Sequence, residues 1–128
     1  MQQRFAILKH SPGILHQRTQ RVHFDWMFED HGVLLTWATE TLERFDRDWT
    51  IVAKPLADHR IEYLNFEGDI GNDRGDVRRV IAGTYTRHGE IDTPFVATLT
   101  WQDSSGTEHT GMFEIDRDHL EWHYGKAE

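Results

Sequence analysis

The 128-residue chain contains no cysteine. Disulfides and thiolate metal ligands are therefore excluded. No apolar run approaches the roughly 20 residues needed to span a bilayer. The apolar stretch within MQQRFAILKH is also too short for a signal peptide. The expectation is a cytoplasmic protein with no membrane partner. Positive charge is scarce as well: 14 Lys and Arg stand against 22 Asp and Glu, a net charge of -8 with His neutral. A general nucleic-acid binder draws most of its affinity from neutralising phosphates. Any nucleic-acid contact by this chain is thus expected to be local, weak or helped by a bound cation. No internal repeat, low-complexity tract or linker interrupts the chain. The glycine-rich residues 68–75 match neither a P-loop nor a dinucleotide fingerprint, which removes support for a nucleotide cofactor.

What is present is aromatic. Hydrophobic residues make up 38% and aromatics 12%, with five Trp and seven Phe, enough for one core in one domain covering residues 1–128. Strand patterns run through residues 4–9, 22–29, 33–39, 49–53, 77–87, 93–102, 108–115 and 119–124. Residues 34–42 fit a helix equally well. Turns are expected at 30–32, 103–106 and 116–118, a helical turn within 58–66, a loop at 68–75 and a bulge at Gly83. The predicted fold is all-β, a small closed or partly closed barrel of about 6–8 mainly antiparallel strands with a short helix or helical turn. Trp26, Trp37, Trp49, Trp101 and Trp122 are expected in its core or rim.

Nine histidines make a metal or acid–base site worth seeking. His23 and Asp25 stand two apart in a strand pattern and so share a face, where imidazole and carboxylate can converge on one cation. The polar side of a half-exposed strand would look the same. His10 ends the preceding strand, and an antiparallel neighbour would bring it to the same place. Two imidazoles and a carboxylate suit manganese, iron or zinc, with open positions for Lewis-acid catalysis. His59 and Tyr63, four apart, would be aligned by a helical turn for phosphate contact or proton transfer; a surface His beside a core Tyr is the plainer alternative. Arg74, Arg78 and Arg79 form the one dense basic patch, which reaches phosphate if its loop folds beside His59. His109, His119 and His123 are expected at the surface.

In order along the chain, Lys9-His10, His23-Phe24-Asp25, Gly32-Val33-Leu34 with Thr36-Trp37-Ala38, Asp58-His59…Tyr63…Phe66-Glu67-Gly68 and the closing hairpin 112–123 resemble the 3'-phosphoesterase domain of bacterial DNA ligase D. The pattern is closer still to short, free-standing relatives. The resemblance implies a small β-barrel that binds manganese, or zinc or another transition metal, through His10, His23 and Asp25. It implies removal of a 3'-ribonucleoside and a 3'-phosphate at DNA ends, ahead of polymerase or ligase proteins. His59 and Tyr63 then match the residues that approach the scissile phosphate, with Arg74, Arg78 and Arg21 as candidate phosphate contacts.

The departures concern basic residues. Met27 stands where the family has Arg, Thr39-Glu40-Thr41 lacks its Lys, and Ile51 replaces another basic residue. An arginine fork grips phosphate as Met and Ile cannot. The family's N-terminal arm is reduced to a few residues, with Arg4 as a possible substitute. The gap between His10 and His23 exceeds the family's usual spacing. His16 has that spacing but lacks a following Asp, so His23 is preferred, and residues 11–22 become an inserted loop whose Arg18 and Arg21 reach over the site. Glu29 or Glu67 are expected to support a ligating imidazole. Besides the phosphoesterase reading stand a catalytically reduced metal-binding or protein-interaction barrel and a phosphoesterase for a smaller substrate.

Overall fold

The computed structural model describes residues 3–14, 21–71, 74–89 and 94–125. Its elements are β1 (Gln3–Ser11), β2 (His23–Asp30), β3 (Val33–Thr39), β4 (Trp49–Val52), β5 (Lys54–Arg60), a 3-10 turn (Ile61–Leu64), β6 (Gly68–Asp69), β7 (Asp76–Arg87), β8 (Phe95–Gln102), β9 (Glu108–Asp116) and β10 (His119–Tyr124). One antiparallel sheet runs β4-β10-β9-β8-β7-β1-β2-β3-β5, with β6 paired beside β7. The ends of that path, β4 and β5, are consecutive in the chain and separated only by Ala53, whose N–H donates to the Asp118 carbonyl at 2.8 Å. The chain itself therefore carries one edge of the sheet round to the other, and the sheet curls into a partly closed barrel. Among the described residues no helix is long and apolar enough to cross a membrane.

The all-β expectation holds, and residues 34–39 belong to strand β3, with 40–42 in irregular chain beyond it, rather than to a helix. Two strands were not anticipated. β5 contains Pro55 and lacks an apolar alternation because it is an exposed edge, where a missing N–H costs no ladder bond. β6 is two residues of the expected glycine-rich loop. Between β2 and β3, Asp30 pairs with Val33, leaving His31 and Gly32 as a two-residue turn with φ of 48° and 84°. Positive φ at both positions is the type I′ geometry that matches strand twist.

Alternation in β2 is only partial because both faces of the sheet are covered there. Residues 5–8 and 25–28 are buried without interruption. Phe5, Ile7, Trp26 and Phe28 point into the main core with Phe113 and Trp122. Ala6, Leu8 and Met27 point the other way, into a smaller outer core closed by Leu34, Leu64 and Val77. The buried indoles are satisfied: Trp26 donates to Thr39 Oγ1 at 3.1 Å and Trp122 to the Phe45 carbonyl at 3.0 Å.

The bulge falls at Val80, not at Gly83. Ile7 pairs with Ile81 and Leu8 with Arg79, so Val80 is the extra residue. Gly83 instead permits a close approach of strands, since a Cβ there would lie 2.1 Å from the Thr100 carbonyl oxygen. Backbone cannot rotate away, so Gly83→Ala is expected to cost about 1–3 kcal/mol in denaturant unfolding. Val80→Ala, at an exposed bulge, should cost about 0.5 kcal/mol or less. Equal costs would overturn this assignment.

Candidate metal centre

Residues directly opposed in an antiparallel pair share a face. In β1 and β2 His10 stands opposite His23, and Leu8 opposite Asp25. All four side chains thus leave the sheet on the side of the outer core. The two imidazole centroids are 4.6 Å apart. His10 Nδ1 lies 3.7 Å from Asp25 Oδ2, and His23 Nε2 lies 3.1 Å from Asp25 Oδ1. One ligand atom from each of the three lies within 4.8 Å of the others. Asp25 is only 4% exposed, backed by the outer core, so its carboxylate has little water to solvate it.

Backbone carbonyls orient both rings. His10 Nε2–H donates to the Arg74 carbonyl at 2.9 Å, and His23 Nδ1–H donates to the Arg21 carbonyl at 3.3 Å. A carbonyl has no proton to give, so each of these ring nitrogens must carry one. The other nitrogen of each neutral ring is then a bare lone pair, and both lone pairs face Asp25. Three acceptors pointed at one another suit a shared cation or proton between them. Among the described residues Asp25 Oδ1 is buried without a hydrogen-bond partner, since its contact with His23 lacks hydrogen-bond geometry. This orphaned oxygen and the two-imidazole, one-carboxylate donor set fit a divalent transition-metal ion. The expected supports do not act here: Glu29 is held by Arg4, and Glu67 accepts from the Arg79 backbone N–H at 2.8 Å. Carbonyls of Arg74 and Arg21 do that work instead.

Without a metal, protons answer the same demand. The nearby Asp25 carboxylate raises the His10 pKa against the opposing effect of burial. Burial would push the Asp25 carboxyl up, but His10 and His23 together bring it down to about 2.

A cavity of about 470 Å³ opens beside the triad, lined by His10, Asp25, His59, Tyr63 and Arg74 among others. His59 stands on β5 opposite Leu34 of β3. Its Nδ1–H donates to the Ala57 carbonyl at 2.9 Å, which leaves Nε2 free. Tyr63 follows in the 3-10 turn, with its ring edge-on to the imidazole at 6.1 Å. The two do meet, but across a strand end and a 3-10 turn rather than along a helix. Arg79 ties that turn to β7 through the Leu64 carbonyl and Asn65 Oδ1, both at 3.4 Å.

The basic candidates separate. Arg74 lines the cavity, but its guanidinium folds back onto the carbonyls of Ile70 at 2.6 Å and Gly71 at 3.3 Å. Arg78 pairs with Lys9 and so leaves the opposite face from His10. Arg21 is exposed on the border of a neighbouring groove beside His23. Arg4 is forked on Glu29 at 2.9 and 3.1 Å. Six residues separate it from His10, about 20 Å along the strand, so it is no substitute at the site. Met27 is fully buried in the outer core, and Ile51 packs against the main core. His16 and Arg18 lie outside the described residues. On the β9–β10 hairpin, Glu114, Glu121 and His123 also gather within 4.8 Å, all half-exposed and none an orphaned buried atom.

The family model of the DNA ligase D 3'-phosphoesterase domain matches residues 15–124, nearly the whole chain. The chain belongs to that family. No curated protein matches it. Within this 3'-phosphoesterase-family chain, His23, Asp25, His59 and Tyr63 all lie in the matched stretch, whereas His10 precedes it and enters through strand register.

The pKa shifts give the metal-free protein a pH signature. A raised His10 contributes stability that is present below its unfolded pKa of 6.5 and lost as pH rises through the folded value. A lowered Asp25 contributes stability present above 3.8 and lost as pH falls through about 2. The cluster is therefore most stabilising between about pH 4 and 6.5. Thermal melting of chelator-treated protein should show a loss of stability from pH 6 to 8.5 that Asp25→Asn reduces. The same slope in both proteins would contradict this electrostatic account.

Proposed function

We propose that this chain is a divalent-metal-dependent phosphoesterase acting on DNA 3' ends, removing a terminal phosphate or ribonucleoside, with manganese the expected ion and zinc an alternative. The observation that carries the proposal is the convergence of two carbonyl-oriented imidazole lone pairs on the buried Asp25 carboxylate, whose Oδ1 has no hydrogen-bond partner among the described residues. The cavity shared with His59 and Tyr63 gives that centre room for a phosphate. An ion held by His10, His23 and Asp25 would supply Lewis-acid polarisation of a phosphate oxygen.

The residues around it divide the remaining work. Removal of the 3'-phosphate breaks the bond from phosphorus to the 3' oxygen, and removal of the ribonucleoside breaks the bond from phosphorus to its 5' oxygen; in each a water oxygen bonds to phosphorus and the departing oxygen needs a proton. His59, whose Nδ1–H is engaged by Ala57, would donate that proton from Nε2 as an imidazolium. Tyr63 offers a phenolic donor that orients the phosphate. The Arg74 carbonyl keeps the His10 ring in place. Trimming of this kind would hand a 3'-hydroxyl to polymerase or ligase proteins.

One observation favours a smaller phosphoester or a catalytically reduced barrel: Met27 and Ile51 are core residues, and the guanidiniums of Arg4 and Arg74 are engaged within the protein. Turnover separates these readings. A primer-template with a 3'-phosphate or a single 3'-ribonucleotide is incubated with and without Mn²⁺, beside Asp25→Ala. Manganese-dependent trimming should fall by about 100-fold or more in the variant, since even outer partners of a metal can cost that much. No trimming by the native chain at any manganese concentration would sink the DNA-end reading.

A further inference from the structure

On the His23 side of the triad lies a second groove of about 550 Å³, bordered by Arg21, Val22, His23, Glu40, Val52 and Lys54. Strand register fixes its relation to the centre. Asp25 pairs with Ala38, and Ala38 pairs with Lys54. Lys54 therefore rises on the same face as Asp25, two strands away, or about 10 Å at the usual strand spacing. The small Ala38 between them keeps the floor of the groove low.

At the cavity, the Arg74 guanidinium is engaged on backbone carbonyls, while Arg60 stands exposed on the border. Arg21 and Lys54 are exposed, and among the described residues their side chains have no ion pair or hydrogen bond. In a chain of net charge -8, two unpartnered cations border the groove that also holds a residue of the triad. The same groove is also lined by exposed apolar side chains, Val22 at 40% and Val52 at 69%. Cations flanking an apolar floor match a strand whose phosphates alternate with sugars and bases. Glu40 on the same border opposes that attraction.

We propose that this groove holds the DNA strand leading to the 3' terminus, with Lys54 and Arg21 on its backbone phosphates. The proposal rests on the phosphoesterase reading and narrows its substrate to a polynucleotide end rather than a small phosphoester. Lys54 then takes a share of the phosphate attraction that Met27 and Ile51 do not provide.

The test is fluorescence anisotropy of a labelled single-stranded oligodeoxynucleotide with a 3'-phosphate, titrated with the intact chain over a range of salt concentrations. Lys54→Glu should weaken binding several-fold and make the plot of log affinity against log salt shallower by about 0.7, the loss of one phosphate contact on a single strand. Lys54→Arg should restore both, and Glu40→Gln should tighten binding. Melting temperatures check that the variants fold. Unchanged affinity and salt slope in both Lys54→Glu and Arg21→Glu would overturn the groove. Turnover of bis(p-nitrophenyl) phosphate without any oligonucleotide binding would also overturn it while leaving the phosphoesterase reading intact. Lys54-dependent binding without turnover of any phosphoester would support the groove and defeat the phosphoesterase reading.

Discussion

The pairing of His10 with His23 across β1 and β2 carries the rest of the site, because strand register decides which face a side chain takes. A slip of one residue would turn His10 toward the aromatic core and Ile7 outward. Both cores resist that slip. Phe5 with Phe28 and Ile7 with Trp26 lock the inner face, while Ala6 with Met27 locks the outer one. Each large apolar side chain placed correctly is worth about 1.5–3 kcal/mol. Burying a lone carboxylate costs several kcal/mol. The packing of β1 and β2 is thus what makes a buried Asp25 affordable, and it does so beside two imidazoles.

Charge completes that logic. A buried acid and two rings whose protons are committed to carbonyls form a site that wants a positive guest. A bound cation would also offset locally the acidity of the chain as a whole. The same packing explains the loss of arginine at position 27. Met27 fills the outer core from a fully buried position, so that site on the sheet serves packing rather than substrate. On the proposed function, attraction for phosphate would then come from an ion and from cations at the surface, not from forks built into the strands.

Much of this was legible in the sequence where it depends on period. His23 and Asp25 share a face because strands repeat every two residues, and the hairpin turn at His31-Gly32 has its own chemistry. Other features have no such signature. β5 hides behind Pro55 and an exposed edge pattern. The carbonyls of Arg74 and Arg21 orient the two imidazoles, yet a backbone group leaves no mark on residue type. Arg78 follows Arg74 closely in the chain, yet Arg74 lies in the loop before β7 while Arg78 lies on β7 opposite Lys9 and so faces away from His10. Lys54 carries no signal in the sequence because its nearness to Asp25 arises through Ala38, a relation that exists only after three strands have paired.

The most direct measurement is titration of Mn²⁺ into the metal-free protein, following the electron paramagnetic resonance signal of the free ion. One ion should be taken up per chain at neutral pH. That uptake should disappear in Asp25→Ala and in His23→Gln, and persist in His123→Gln, which alters only the half-exposed cluster on the last hairpin. No uptake, or uptake that survives the first two substitutions and is lost with the third, would contradict a cation site built by the pairing of β1 and β2.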